Sequence, residues 1–424
     1  MTDSSAGPTG TVLVVGGGIA GLTAAVEAAE AGSQVYLVEK GPSLGGRVAR
    51  MHRYFPKLCP PSCGLEILLK RVRTSPRLRV LTLAEVTSIS GQPGDIEVKL
   101  AIAPRYVNER CTACGDCIPV CPGQRRDEFN YGVGSTRAVY LPQPLGFPVR
   151  FAIDRTACPA GCELCVSVCK PNAIELGAQP QSLTLRVGAV VLATGWQPYD
   201  ARKLPELGFG EHADVVTNVM FERLAAADGP TQGRIVRPSD GKAPAHVTFV
   251  QCAGSRDEKH LPYCSAVCCM ASLKQVAYVR EQLPEASVHV LYIDVRTLGR
   301  LEQFYARIAA DPKVTLSRGK AGKVSAGAGG KLVVEAEDTG RGAPLEIATD
   351  LVVLATGMEP SGLGALGDAV GKDAFGFLTP DRNGRGVVAA GCARRPGDVT
   401  STTQDATGAA LHALQASLGG RNHG

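Results

Sequence analysis

Short runs of β-branched residues that end in glycine, each followed by small residues at helical spacing, recur along this chain. Thr11 to Val15 is the first such run and reads as a buried strand. Ile19 to Ala31 carries alanines and leucine at helical spacing, and Val35 to Val38 is a second buried strand ending at Glu39. Together they predict a βαβ start. Residues 80–103 alternate apolar and polar, as a hairpin does. Val187 to Leu192 returns to a buried strand, ending in Ala193-Thr194-Gly195, and residues 226–245 gather the Gly, Pro, Asp and Lys of a linker. His246 to Gln251 opens a second strand–turn–helix–strand unit that closes at Ile293-Asp294. Residues 314–349 predict a β-meander, Asp350 to Leu354 a strand with its own Ala355-Thr356-Gly357 end. Gly386 to Ala390 predicts a last strand, followed by a small-residue helix from about Thr402 to Leu418. Residues 104–175 lack helical periodicity and predict an inserted module.

Composition narrows the picture. With 424 residues, 44% apolar and 20% charged, the chain can pack two or three domains. The net charge of +5 is small and dispersed, which argues against a nucleic-acid surface. No apolar run approaches the ~20 residues of a spanning helix. Val12 to Val15 ends in glycine, so it reads as a strand rather than part of a signal segment. The expectation is a soluble, cytoplasmic protein. In such a reducing compartment, closely spaced cysteines mean metal ligation or redox chemistry rather than structural disulfides.

Gly16-x-Gly18-x-x-Gly21 follows a strand and opens a helix. Gly16 permits the tight turn, Gly18 lets the backbone approach a pyrophosphate, and Gly21 lets helix and strand pack closely. The helix start, with Ile19 and Ala20, offers free N–H groups and its dipole to the phosphates. Glu39, with Lys40 beside it, lies at the end of the next strand, where a carboxylate accepts hydrogen bonds from a ribose. Gly45-Gly46-Arg47, the Ala193-Thr194-Gly195 strand end and Gly391 are placed as in flavoproteins with two dinucleotide domains, so the expected nucleotide is FAD.

Twelve of the 15 cysteines form three sets of four. Cys111, Cys114, Cys117 and Cys121 read C-x2-C-x2-C-x3-C, followed by Pro122; Cys158, Cys162, Cys165 and Cys169 read C-x3-C-x2-C-x3-C, followed by Pro171. Closely spaced thiolates wrap three corners of an iron–sulfur cube, whereas zinc sites favour paired C-x2-C. In the two-cluster ferredoxin pattern each fourth cysteine serves the other cube. Cys169 then joins Cys111, Cys114 and Cys117, and Cys121 joins Cys158, Cys162 and Cys165. The third set, Cys252, Cys264, Cys268 and Cys269, occupies the turn where a second dinucleotide domain would bind its pyrophosphate. No three-glycine fingerprint stands there, so a third [4Fe–4S] cluster is expected in place of NAD(P)H, with Cys264 and Cys268 on one helix face. Cys59 and Cys63 read as a redox pair facing the flavin, as extra cluster ligands, or as a structural thiol pair.

Long motifs carry a family resemblance. Tyr54-Phe55-Pro56-Lys57-Leu58-Cys59-Pro60-Pro61-Ser62-Cys63-Gly64-Leu65-Glu66-Ile67, Cys111-Thr112-Ala113-Cys114-Gly115-Asp116-Cys117 and Gln251-Cys252-Ala253-Gly254-Ser255-Arg256-Asp257-Glu258 are three of them; Cys264 and Cys268-Cys269-Met270-Ala271-Ser272-Leu273-Lys274-Gln275 continue the pattern. They resemble the A subunit of quinone-interacting membrane-bound oxidoreductase (Qmo) complexes and, more widely, the flavin subunit of the heterodisulfide reductases. The resemblance implies FAD on a thioredoxin-reductase-like scaffold and a cluster at the third cysteine set. It also implies partners: a flavin/iron–sulfur B subunit, a membrane haem C subunit that reaches the quinone pool, and adenylylsulfate reductase. The chain would then be peripheral to the cytoplasmic membrane through those subunits. All eight insert cysteines are present, a departure from the incomplete insert this subunit has in sulfate reducers, which leaves the direction of electron flow and the immediate partner open and admits a sulfur-oxidising context.

The expected fold class is α/β, with two dinucleotide-binding-type domains and a ferredoxin-like insert. The FAD domain is expected in three parts, 10–103, 176–245 with the linker, and 350–424. The insert spans 104–175 and the degenerate second domain 246–349. Two rivals use the same residues: a heterodisulfide-reductase-type subunit that bifurcates electrons, and a flavin disulfide oxidoreductase working through Cys59 and Cys63.

Overall fold

The computed structural model describes residues 9–418 except 298, 365, 367–369 and 381–383. The chain divides into two compact units, Met1–Trp196 with Pro360–Gly424, and Gln197–Glu359.

In the first unit, Thr11–Val15 is the middle of a five-stranded parallel sheet. Gln34–Glu39 and then Leu78–Thr82 lie on one side, Ala189–Leu192 and then Val387–Ala389 on the other. Successive side chains of a strand point to opposite faces, so a strand covered on both must be apolar throughout. Val12 and Val14 pack under the helices Ile19–Glu30 and Val399–Ser417; Leu13 and Val15 pack on an antiparallel sheet of Ala84–Gln92, Asp95–Ile102 and Gln181–Val187. Alanines line the contact between the two helices, including Ala24, Ala25 and Ala28 against Ala406, Ala410 and Ala413.

The expected strand Val187–Leu192 is two strands. Gly188 donates to the Thr11 carbonyl and accepts from the Gly94 amide, so the chain changes sheets there. The helix Ser62–Thr74 escaped the pattern reading, although Leu65, Leu69 and Val72 form its buried stripe.

Residues 104–175 form small two-stranded elements, Gln124–Arg126 with Ser135–Arg137 and Val139–Tyr140 with Ala152–Ile153, plus the short helix Leu164–Ser167. Val107 bridges Ile174, which closes the insert on itself. Arg105 ties it to the ends of the strands Gln34–Glu39 and Leu78–Thr82. Its buried guanidinium donates to the carbonyls of Pro42, Arg150 and Phe151 and, at 2.8 Å, to the Thr82 hydroxyl. Desolvation lowers its pKa to about 10, which leaves it charged at neutral pH.

The second unit repeats the parallel plan in the order Val215–Thr217, Leu351–Thr356, His246–Ala253, Ser287–Tyr292, Val314–Arg318. Val314–Arg318 was expected in the meander but pairs parallel with Ser287–Tyr292. The meander itself is Ala321–Ala326, Leu332–Asp338 and Ala343–Thr349. The expected division at 245/246 and 349/350 also differs. Leu351–Thr356 is fully buried and needs a partner on each edge, which it finds in His246–Ala253 and Val215–Thr217. The compact unit therefore runs from Gln197 to Glu359.

Candidate functional site

The glycine turn is held from three sides. Gly16 has φ +108°, and a side chain there would strike the Ala193 carbonyl. A side chain at Gly21 would strike the Gly16 carbonyl, so that glycine is needed for packing rather than for conformation. Gly46, at φ +56°, lies against the Cα of Gly18, and the Gly45 amide donates to the Gly17 carbonyl at 2.8 Å. Gly391, at φ +66°, packs on Ala20 and donates its amide to Asp405.

These surroundings fit a dinucleotide. The helix Ile19–Glu30 begins at Gly18 with no side-chain cap and no acidic residue in its first turn, so its first N–H groups and dipole face out of the turn. The Thr194 hydroxyl is buried without a partner. Glu39 reaches back to the turn: its two oxygens accept from the Gly17 and Gly41 amides, each at 2.6 Å. Lys40 instead pairs with Glu85 at the exposed surface. Arg47 donates to the Trp196 carbonyl at 2.6 Å and to the Tyr131 hydroxyl at 3.1 Å, and its guanidinium stacks 4.7 Å over the Trp196 ring. Tyr131 belongs to the insert. So does Gln143, whose amide donates to the Leu44 carbonyl. Arg105 and Gln143, which fasten the insert beside the glycine loop, carried no signal in the sequence; each is an isolated polar residue.

The insert folds so that fourth cysteines change sets. Cys111, Cys114, Cys117 and Cys169 line one cavity with Asp116, Phe151 and Pro171. Burial pushes the Cys117 thiol up from 9.0 to about 12, and Cys111, Cys114 and Cys165 add to the rise. Cys121 stands with the other three: burial raises the Cys165 thiol, and Cys158, Cys121 and Cys162 raise it further. Left-handed backbone at Ala113 (φ +56°) and Gly115 (φ +89°) turns the first loop tightly around its cavity.

The third set also converges, though not as expected. The helix begins only at Cys268, so Cys264 lies in the preceding loop and shares no helix face with Cys268. Residues 254–267 are a folded loop, with the Leu261 amide donating to the Gly254 carbonyl and the Arg256 amide to the Tyr263 carbonyl. This loop brings Cys264 to the helix start. Cys252, at φ +55°, holds a conformation that non-glycine residues rarely adopt. Burial pushes its thiol to about 11, with Cys269 the next cause; Arg256 pulls it down. Burial raises the Cys268 thiol further, and Cys252, Cys269 and Cys264 add to it. Neighbouring thiols that repel once ionised are soft donors of the kind a cationic iron–sulfur core takes. Among the described residues no three His, Cys, Asp or Glu side chains converge closely enough to hold a single metal ion.

The neighbouring Cys63 thiol raises the Cys59 thiol above its ordinary value. Cys63 is exposed at the start of the helix Ser62–Thr74, and the pair sits in the same unit as the glycine turn. Cys392 is buried and bonds to Thr402 and Gly397. No helix among the described residues is long and apolar enough to cross a membrane.

Residues 11–56 match the FAD dependent oxidoreductase family. The A subunit of the H2:CoB-CoM heterodisulfide,ferredoxin reductase of Methanothermobacter marburgensis is 37% identical over 415 residues, covering 95% of this chain and 63% of that protein. The iron–sulfur A subunit of the CoB–CoM heterodisulfide reductase of Methanocaldococcus jannaschii is 38% identical over 416 residues, with 94% and 63% covered. The chain thus spans 63% of the length of these curated relatives. Among solved structures, thioredoxin reductase from Lactococcus lactis superposes with a TM-score of 0.54 at 14% identity, over 96% of this chain and 99% of that one. The T. acidophilum thioredoxin reductase gives 0.52 at 16%, over 96% and 98%. These likenesses establish the fold. The homologues of this chain are A subunits of heterodisulfide reductases, its residues 11–56 are similar to FAD dependent oxidoreductases, and its fold is thioredoxin-reductase-like.

Proposed function

We propose that this chain is the flavin and iron–sulfur electron-transfer subunit of a heterodisulfide-reductase-like complex of the Qmo type. One observation carries the reading: a glycine turn and three tetra-cysteine sets occur together in a chain 37% identical to a heterodisulfide reductase A subunit. Bound FAD supplies the exchange between paired and single electrons, and three [4Fe–4S] clusters supply one-electron steps.

The protein's part is to bind and to exclude water. Gly16, Gly18, Ile19, Ala20 and Gly21 offer backbone N–H groups and room to the pyrophosphate, and Glu39 orders the turn while facing the ribose position. Gly45, Gly46, Arg47, Ala193, Thr194, Gly195 and Gly391 form the rest of the flavin wall. Cys111, Cys114, Cys117 and Cys169 hold one cluster, Cys121, Cys158, Cys162 and Cys165 a second, Cys252, Cys264, Cys268 and Cys269 a third. Burial of Cys117, Cys165, Cys252 and Cys268 keeps solvent from one side of each core. In the finer reading, electrons pass between the quinone pool and adenylylsulfate reductase through B and membrane haem C subunits, with this chain cytoplasmic and peripheral.

The names of the relatives, which join heterodisulfide reduction to ferredoxin, favour a second reading in which a heterodisulfide-reductase-type subunit bifurcates electrons. Anaerobic purification of the native complex separates the two. Copurifying haem and adenylylsulfate reductase, with about twelve iron per flavin in this chain, supports the first; a copurifying ferredoxin-linked hydrogenase overturns it in favour of the second. A colourless chain would sink both.

A further inference from the structure

The third cysteine set has charged neighbours that its ligand role does not use. The segment after the strand Ser287–Tyr292 runs past Cys269, whose thiol donates to the Asp294 carbonyl at 3.7 Å. Asp294 binds two guanidiniums, Arg256 at 2.5 Å and Arg296 at 3.4 Å. Arg256 comes from the folded loop, and its positive charge pulls the Cys252 thiol down. Arg296 in turn feels Cys264 as its strongest charge partner. Two cations and one anion from two different segments therefore stand beside this set, and their charges are felt at Cys252, Cys264 and Cys269. The end of the second strand is where a dinucleotide domain keeps the side chains that recognise the ribose or its phosphate. Here that position carries Asp294, and Arg296 follows it.

We propose that Arg256 and Arg296 are positioning residues that set the reduction potential of a cluster held by Cys252, Cys264, Cys268 and Cys269, with Asp294 as their counter-charge. This rests on the reading that the third set holds a cluster. One-electron reduction adds a negative charge to a core already anionic through its thiolates. A fixed positive charge stabilises the reduced form more than the oxidised one and raises the potential. Arg256 has a side chain 24% exposed and Arg296 one 49% exposed, so solvent screens the second more. The three side chains act in opposite directions, and this makes the idea testable without activity.

The experiment is an anaerobic redox titration of the full chain followed by electron paramagnetic resonance, with the two insert clusters as internal references. Arg256→Gln should lower the midpoint of one cluster signal and leave the other two in place. Arg296→Gln should lower the same signal by less. Arg256→Lys, which keeps the charge, should restore most of the midpoint. Asp294→Asn keeps both guanidiniums and should raise it, so it reads the same field if Arg256→Gln loses its cluster. Unchanged midpoints in Arg256→Gln and Asp294→Asn, or shifts of one sign in both, overturn the proposal. Iron content of Cys252→Ala/Cys268→Ala separates the two failures. If iron does not fall, the third set holds no cluster and the reading beneath fails; if iron falls while the midpoints stay fixed, only the tuning role fails.

Discussion

The two parallel sheets of this molecule follow one plan and end in different chemistry. In each, the central strand has on one side the two parallel strands that follow it in the sheet's chain order and on the other side two further strands. After Thr11–Val15 the chain turns within three glycines into a helix. After His246–Ala253 it takes a folded loop and reaches its helix only at Cys268. The acid past the second strand differs in the same sense. Glu39 accepts from backbone amides of the glycine turn, while Asp294 accepts from the guanidinium of Arg256. One helix start presents bare amides and the other presents thiols. A parallel sheet thus fixes where a ligand-binding turn must stand, and the few residues in the turn choose between a phosphate anion and a metal core.

The comparison breaks most visibly if the flavin turn is filled. Gly21→Ala places a methyl group against the Gly16 carbonyl and should cost about 2–4 kcal/mol. The variant should lose nearly all of its FAD, measured by the flavin released on denaturation, while iron bound to the third set persists. Next in size, Cys252→Ala/Cys268→Ala should lower iron by about a third with flavin content unchanged. Rapid bleaching of the flavin by NADPH would contradict the contrast from the other side. The expected result is no bleaching within the turnover time, because the second turn offers no glycine cradle.

A pH titration sharpens the same point. The buried thiols of the metal-free chain have raised pKa values, Cys252 at about 11, Cys117 at about 12 and Cys268 higher still. A raised value means that the native state keeps protons the unfolded state releases. The stability of the metal-free chain is then full below about pH 9 and falls as pH climbs towards 12, as chemical denaturation at several pH values would record. Iron uptake runs the other way: each thiol must lose its proton to bind, so reconstitution should proceed further at pH 8.5 than at about pH 7. The smallest effect is expected at the exposed pair. Cys63→Ser should leave iron and flavin unchanged, and Cys63 should be the first thiol alkylated in the native protein.

Much of this was legible in the chain itself. Apolar runs such as Val12 to Val15 and Leu351 to Leu354 announce strands covered on both faces, and the glycine spacing announces the turn between them. The cysteine intervals announce three thiol groups, because a short loop can wrap a small core only at a few spacings. Other features needed the assembled fold. Helical spacing put Cys264 on a helix it never joins, since nothing local reveals that residues 254–267 fold on themselves. The true edge of the second unit depends on Leu351–Thr356 finding partners on both sides. The roles of Arg105, Gln143 and Asp294 depend on contacts between distant segments, and an isolated polar residue carries no mark of its eventual neighbour. Local sequence determined which elements form and which donor atoms exist, because propensity and short loops act over a few residues. Tertiary structure alone decided which donors meet and what charge surrounds them, because burial and long-range pairing bring those groups within reach only after the chain has closed.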